Sequence, residues 1–181
     1  EEEGHGVVYS DTDSIFVRSP VDSNAPSSLR EDELVAAQKG EKEAVQKMQK
    51  WDSAKQLMID FGLEIAQRYS RDSAVLEFEK GLSVFFSHGA KKRYVGQVVW
   101  PAEEMLIRGY ETQRTDSFNY LTHTMKRMFR HALADEGDAL IKYALARVQA
   151  VKNSQVNASE LILAKSCKGR VRSNGEIDFT K

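Results

Sequence analysis

The 181-residue sequence has one cysteine, Cys167, only three prolines, and no long run of apolar residues. A single cysteine excludes an internal disulfide and any metal site built from several thiolates, and it fits a reducing compartment. No apolar stretch approaches the length of about 20 residues that spans a bilayer, so we expect no membrane partner. The chain starts with three glutamates instead of methionine or a basic signal-peptide start. We therefore expect it to be a piece of a larger protein.

The first half of the chain has few positively charged residues for its length, and the second half has few negatively charged ones. Residues 1–88 contain 10 Lys and Arg against 17 Asp and Glu, whereas residues 89–181 contain 16 against 10. An acidic half can supply metal ligands, and a basic half can meet a polyanion such as a nucleic acid. A chance division of surface charge explains the same numbers, so this asymmetry alone does not assign a function.

Residues 7–17 are the most informative segment. Two short β-favouring runs, 7–9 and 15–17, flank a polar centre of turn-forming residues, which predicts a β-hairpin. Asp11 and Asp13 are two residues apart at its tip, and in extended backbone such side chains share one face. Two carboxylates at one point repel each other unless a cation lies between them, and oxygen ligands of this kind suit Mg²⁺.

The rest of the sequence predicts alternating helical and extended segments. Ser28 and Glu31 match a capping box, and the charged stretch to residue 50 predicts an exposed helix or a disordered segment that Gly40 interrupts. From residue 51 to Tyr69, apolar residues recur every three or four positions, which predicts a packed helix capped by Ser53. We expect this helix to lie across a sheet that includes the hairpin.

Strands are predicted next, followed by a helical region. Alternating or continuous apolar runs predict strands at residues 74–79, 82–86 and 91–100, with a turn at 87–90. Glu77 and Glu79 share a face of the first of these strands. Their side chains point either toward the carboxylate pair or into solvent. Apolar stripes at residues 121–133 and 140–151 predict two helices with buried faces, the first of them capped by Asp116 or Ser117.

A second motif, Lys91-Lys92-Arg93-Tyr94, lies at the predicted start of the third of these strands. Three successive cations can contact phosphates while the aromatic residue lies at a groove, although basic strand ends are common in proteins. Tyr-x-Asp-Thr-Asp-Ser between apolar strands resembles motif C of the family B DNA polymerases. The basic motif resembles the Lys-Lys-Arg-Tyr motif that follows motif C in that family, and the order of the two motifs also matches.

The resemblance covers most of the chain. Residues 107–116 resemble the family's segment from palm to thumb, and residues 159–166 resemble a Leu-x-Ile-x-Lys run of the thumb. Together with the predicted elements, this implies an α+β fold. Residues 1–110 would form part of the palm, an antiparallel sheet with a packed helix. Residues 111–181 would form part of a mostly helical thumb.

Family B polymerases transfer nucleotides from deoxynucleoside triphosphates to a primer 3′ end by two-metal catalysis, and the resemblance implies this activity for the parent enzyme. Matched by position, Asp13 is the principal Mg²⁺ ligand and Asp11 its weaker neighbour, both of them catalytic. Glu79, or Glu77 in its place, resembles a third acidic residue near the metals.

The implied DNA contacts are Thr12 and the basic motif. Lys92 and Tyr94 resemble the minor-groove contacts at the primer end, and Lys91 and Arg93 resemble phosphate contacts. Minor-groove acceptors occur at every base pair, so such contacts test pairing geometry without reading sequence.

The chain departs from the family pattern in several ways. Ser10 stands where the family usually has glycine, and the charged stretch between residues 18 and 51 is longer than in the family. Motif A, the nucleotide-binding Lys-x₃-Asn-Ser-x-Tyr-Gly motif and the exonuclease carboxylates are not among these residues. We therefore expect an incomplete Mg²⁺ site and no synthesis by the isolated chain. The expected partners are primer–template DNA, deoxynucleoside triphosphates and the remainder of the polymerase chain. We expect the parent polymerase in the cytoplasm of a prokaryote or archaeon, or in a eukaryotic nucleus.

Two other functions fit parts of the sequence. A haloacid-dehalogenase-like phosphohydrolase also has Asp-x-Asp after an apolar strand, with Asp11 as nucleophile and Asp13 as general acid. That fold needs a later Gly-Asp on alternating strands and helices, and Gly137-Asp138 is the candidate. A nucleic-acid-binding module without catalysis, with the carboxylates as turn formers, is the third interpretation.

Overall fold

The computed structural model describes residues 6–110, 117–164, 169–171 and 173–179. The predicted cap Asp116, and residues 165–168 with Cys167 among them, lie outside the described part of the chain. The chain divides into two compact units, Glu1–Leu106 and Ile107–Lys181.

Strands and helices alternate irregularly along the chain, which confirms the predicted α+β class. The first unit and its boundary contain β1 (Val7–Ser10), β2 (Ile15–Val17), α1 (Glu31–Gln38), α2 (Lys42–Tyr69), β3 (Gly81–Ser87), β4 (Tyr94–Trp100) and β5 (Glu104–Arg108). The second unit contains α3 (Asn119–Leu133), α4 (Gly137–Lys152), a 3-10 helix (Ala158–Leu161), β6 (Gly169–Val171) and β7 (Ile177–Phe179). Among the described residues, no helix combines the length and the apolar content that crossing a bilayer requires.

The hairpin forms a sheet of its own. β1 and β2 pair antiparallel, with Ser10 opposite Ile15 and Val7 opposite Val17. β3, β4 and β5 form a separate three-stranded sheet in that order, in which β3 and β4 are antiparallel. The expectation that one sheet includes the hairpin is therefore wrong, because the hairpin meets β3 and β4 through aromatic side chains instead of a hydrogen-bonded ladder.

Helix α2 packs on the three-stranded sheet, as the apolar stripe predicted. Trp51 and Met58 on the helix are buried together with Val99 of β4. Partly buried residues from the loop before α1, from α2 and from the end of β4 surround this cluster, namely Val21, Leu29, Ile59 and Trp100. Burial of apolar surface between helix and sheet is the main stabilising contribution in this unit.

The starts of both helices in the first unit differ from the predictions. The N-cap of α1 is Arg30 instead of the predicted Ser28, and its backbone N–H donates to the Glu33 carboxylate over 3.0 Å. Gly40 interrupts the helical segment as predicted, with a left-handed φ of 83°. Helix α2 already begins at Lys42, so Ser53 lies in its interior and caps nothing.

The predicted strand at residues 74–79 is irregular in the structure. The face that alternation predicts to be buried is not, since Leu76 is 39% exposed and Phe78 is only half-buried. The Leu76 N–H donates to the Ser70 hydroxyl over 2.9 Å, so a local side chain replaces a strand partner. Glu77 and Glu79 therefore share no strand face, which corrects the prediction for both.

In the second unit, Tyr120 of α3 is buried and its hydroxyl donates to the Arg147 carbonyl of α4 over 2.6 Å. The Arg147 guanidinium lies 3.7 Å from the centre of the Tyr120 ring, a cation–π contact. The apolar stripe of α4 was predicted to be core but is exposed in the structure, at Ile141, Leu145, Val148 and Val151. The antiparallel pair β6–β7 was not predicted.

Candidate nucleic-acid and metal site

The tip of the β1–β2 hairpin is a tight turn closed by a backbone hydrogen bond from the Asp11 N–H to the Ser14 carbonyl, over 2.8 Å. Asp11 and Asp13 both lie in this turn, outside the strands. The expectation that extended backbone directs both carboxylates to one face therefore does not apply to them, because alternation of faces requires strand geometry.

The two carboxylates have different surroundings. Asp11 is half-buried, and its Oδ1 accepts a hydrogen bond from the Thr12 N–H over 2.8 Å and a longer one from the Thr12 hydroxyl over 3.4 Å. Asp13 is exposed. Thr12, predicted to contact DNA, is exposed on the same turn. Asp13 is thus open to an external ligand, whereas Asp11 takes part in the protein's own hydrogen bonds.

Contrary to the prediction, only Tyr94 of the basic motif lies on a strand. Strand β4 begins at Tyr94, so Lys91, Lys92 and Arg93 belong to the turn that joins β3 to β4. All three cations are exposed there. The Arg93 N–H donates to the Ala90 carbonyl over 3.2 Å, which closes the turn. Turn residues carry side chains in several directions, so the three cations are not restricted to alternate faces of a sheet.

Lys92 joins the two motifs in space. Its backbone N–H donates to the Tyr9 hydroxyl over 2.8 Å, although the two residues are 83 positions apart in the sequence. Its ammonium lies 3.6 Å from Oδ1 of Asp11, a loose ion pair in which the lysine side chain is 69% exposed and the aspartate side chain 20%. An exposed pair of this length contributes little to stability, so the ammonium remains available to a second partner.

Aromatic rings hold the hairpin against the larger sheet. Tyr9 and Phe16 of the hairpin contact Tyr94 with ring centroids 5.2 Å apart in both cases. Phe16 also lies 5.0 Å from Phe85 of β3. Tyr94 is buried by these contacts, which places most of its ring inside the protein. The cluster fixes the hairpin tip beside the basic turn, because the rings of both elements pack into one another.

The third predicted metal ligand is not grouped with the other two. Among the described residues, no set of three or more histidine, cysteine, aspartate or glutamate side chains is arranged to hold a metal ion. Glu79 and Glu77 are exposed in the irregular segment before β3. Asp11 and Asp13 remain as two hard oxygen donors, which suits Mg²⁺ because this ion is often bound by one or two carboxylates together with substrate phosphates and water.

Sequence reasoning missed the part played by Tyr9. The residue belongs to the Tyr-x-Asp-Thr-Asp-Ser pattern, but the sequence predicts only that it lies on a strand. Its partner, the backbone of Lys92, is remote in sequence and has no side-chain signature, so no local pattern could have identified the contact.

Comparison with known proteins adds no further support, since no family model and no curated protein matches the sequence. The functional assignment therefore depends on the two motifs and on the contact between them.

Proposed function

We propose that this chain is the part of a family B DNA polymerase that contains the metal-binding hairpin and the adjacent DNA-binding turn. The observation that supports it is the contact between two motifs found separately in the sequence, through Tyr9, Asp11 and Lys92. Their meeting supports one site at which carboxylates and cations face the same ligand.

Asp13 and Asp11 are the residues that would hold Mg²⁺. The bound ion would lower the pKa of the primer 3′ hydroxyl and stabilise the pyrophosphate leaving group. The second catalytic aspartate and the nucleotide-binding lysine would come from the remainder of the polymerase chain. Within this chain, Asp13 is the more exposed of the two carboxylates and does not share the ion pair of Asp11 with Lys92.

The basic turn would bind the primer–template duplex. Lys91 and Arg93 are exposed on either side of Lys92 and can reach phosphates on a nucleic-acid backbone. The Lys92 ammonium, held only loosely by Asp11, can exchange that carboxylate for an acceptor in the minor groove. Tyr94 is buried, whereas the three cations of the motif are exposed.

The two parts of the chain would belong to different subdomains of the polymerase. Residues 1–110 would belong to the palm and residues 111–181 to the thumb. The partners would be primer–template DNA, deoxynucleoside triphosphates and the rest of the polymerase. The parent enzyme would work in the cytoplasm of a prokaryote or archaeon, or in a eukaryotic nucleus.

The phosphohydrolase alternative is less well supported. Gly137 and Asp138 open helix α4, shortly after α3, whereas that enzyme class needs its acidic pair at the end of a strand. The hairpin strands β1 and β2 are antiparallel, unlike the parallel strands of an α/β phosphohydrolase. If the chain is instead a nucleic-acid-binding module without catalysis, the same DNA contacts are expected. Asp13 would then be a turn-forming residue with no role in a reaction.

Duplex binding by the 181-residue chain tests the proposal. Anisotropy of a labelled primer–template duplex should rise on addition of the chain, and the affinity should fall steeply with added salt. Lys92→Ala should weaken binding, and a Lys91→Ala, Arg93→Ala double variant should reduce the salt slope by about two.

Lys42→Ala is the matched control, because Lys42 is exposed at the start of α2 and belongs to neither motif. It should leave both the affinity and the salt slope unchanged. Absence of duplex binding, or equal affinities for Lys92→Ala and the wild-type chain, would contradict the proposal.

A further inference from the structure

Lys92 has a backbone conformation that a lysine seldom adopts. Its φ is 62°, in the left-handed region where a side chain crowds the following carbonyl. Glycine is the usual residue wherever a turn needs only this shape, as at Gly89 in the same turn with φ of 71°. A cation in a strained backbone position persists only when its surroundings hold it there.

Two groups from the hairpin contact Lys92, one at its backbone and one at its side chain. The Tyr9 hydroxyl accepts the backbone N–H over 2.8 Å, and Asp11 attracts the ammonium over 3.6 Å. One contact fixes the backbone and the other orients the side chain. The Tyr9 ring is itself fixed, because it packs against Phe16, Phe85 and Tyr94 with centroids 5.2–6.0 Å away.

We infer that Tyr9 is a positioning residue for DNA binding: its hydroxyl holds the basic turn so that the exposed Lys92 ammonium points toward the duplex. The inference depends on the proposed function and extends it to a residue that contacts no ligand itself. The turn connecting β3 and β4 has few backbone hydrogen bonds of its own, among them that from the Arg93 N–H to the Ala90 carbonyl. Without the Tyr9 hydroxyl, the Lys92 backbone would relax toward commoner conformations. The Lys92 ammonium would then move away from its present position beside Asp11.

The substitution Tyr9→Phe tests the inference because it removes the hydroxyl and leaves the ring. The aromatic cluster therefore stays packed and the chain should fold. We expect the affinity for a primer–template duplex to fall about 3- to 10-fold, the equivalent of one lost hydrogen bond. The Lys92 amide should also exchange with solvent faster in the Tyr9→Phe chain, as measured by NMR.

A double-mutant cycle separates positioning from a general effect on the fold. If Tyr9 acts through Lys92, adding Tyr9→Phe to Lys92→Ala should change the affinity by less than about 2-fold, because the ammonium is already gone. Losses that multiply in the double variant would show that the hydroxyl acts independently of Lys92, which would overturn the inference.

Tyr120→Phe is the matched control. It also removes a tyrosine hydroxyl bonded to protein, here to the Arg147 carbonyl over 2.6 Å, but at a residue of α3 outside both motifs. It should lower the melting temperature and leave duplex affinity unchanged. An equal loss of affinity in Tyr120→Phe and Tyr9→Phe would mean that stability alone is responsible, and would overturn the inference.

The same measurements separate failure of the inference from failure of the proposed function. If Lys92→Ala weakens duplex binding and Tyr9→Phe does not, only the positioning role of Tyr9 is wrong. If Lys92→Ala has no effect on binding, the DNA-binding function of the basic turn is wrong, and the inference fails with it.

Discussion

The ring of Phe78 stacks on the ring of Trp100, with centroids 4.6 Å apart and planes 10° from parallel. Phe78 belongs to the irregular segment before β3, and Trp100 ends β4. The stack anchors a segment in which Val75 and Leu76 are exposed. One half-buried, stacked ring thus fixes the path of the chain from α2 to the sheet where hydrogen-bonded strand pairing does not.

The Phe78 ring also fills the space beside Gly62 of α2. A Cβ atom at position 62 would lie 2.4 Å from Cε2 of that ring. Replacing glycine by alanine inside a helix normally stabilises it by about 1 kcal/mol. In Gly62→Ala the ring must shift away from position 62, which disturbs its stack on Trp100, so we expect the free energy of unfolding in urea to fall by about 1–3 kcal/mol.

Gly137→Ala is the control for this prediction. Gly137 is the first residue of α4, and a Cβ there meets no atom within 4 Å. We expect unchanged or slightly higher stability for it. Stabilisation of both variants alike would show that the Phe78 ring does not restrict position 62.

Two valines with opposite surroundings provide a test of the core. Val98 of β4 is 0% exposed, whereas Val75 is 73% exposed. Val98→Ala removes two buried methylene-sized groups and leaves a cavity, so the free energy of unfolding should fall by about 1.5–3 kcal/mol. Val75→Ala should change it by less than about 0.5 kcal/mol. Similar losses in both variants, measured by urea denaturation, would mean that the β3–β4 sheet is not the core of its unit.

Glu33 should make stability depend on pH in acid. The backbone N–H of Arg30, then the Lys47 ammonium, donate hydrogen bonds to this carboxylate and lower its pKa from 4.5 to about 2. Because the folded-state pKa is below the unfolded one, this stabilisation is present above pH 4.5 and is lost as the pH falls toward 2. The stability difference between wild type and Glu33→Gln should therefore shrink across that window.

The Lys47 contact can be tested separately by NMR titration of the Glu33 carboxyl. Lys47→Ala should raise the pKa of Glu33, because it removes both a hydrogen-bond donor and a nearby positive charge. Lys42→Ala, on the same helix, should leave that pKa where it is in the wild type. A Glu33 midpoint at 4.5 in the wild-type chain would contradict the hydrogen bonds that Arg30 and Lys47 donate to it.

The isolated chain should not synthesise DNA. In the proposed function the motif A aspartate comes from the rest of the polymerase chain, and within the described residues no third acidic side chain completes a metal site. In a primer-extension assay with Mg²⁺ and all four deoxynucleoside triphosphates, we expect no product above the no-enzyme control. Magnesium-dependent extension that Asp13→Asn abolishes would show that the full catalytic set lies within these 181 residues.

Hydrolysis of p-nitrophenyl phosphate by the same preparation should also be absent. The phosphohydrolase alternative makes the opposite prediction, namely magnesium-dependent release of p-nitrophenolate that Asp11→Asn abolishes. A single preparation of the pure chain can therefore be used to compare both enzyme classes.

Patterns of neighbouring residues were sufficient to predict the hairpin, the packed helix α2 and the helical character of the second unit. These features arise from local rules, because turn formers between β-branched runs and apolar residues at helical spacing act within a few positions of one another. The same rules failed at residues 74–79, where alternation predicted a strand but residues 75–79 are irregular. They also failed at Ser53, since helix formers before it extend α2 back to Lys42.

The sequence by itself determined the residue types of the candidate site: two aspartates in a turn and three cations before a tyrosine. Only the tertiary structure decided that Lys92 meets Tyr9 and Asp11, that Tyr94 is buried, and that Glu79 stands apart from the carboxylate pair. The physical reason is that these relationships depend on how aromatic rings from distant segments pack. No local spacing encodes a contact between the backbone of one residue and the side chain of another 83 positions away.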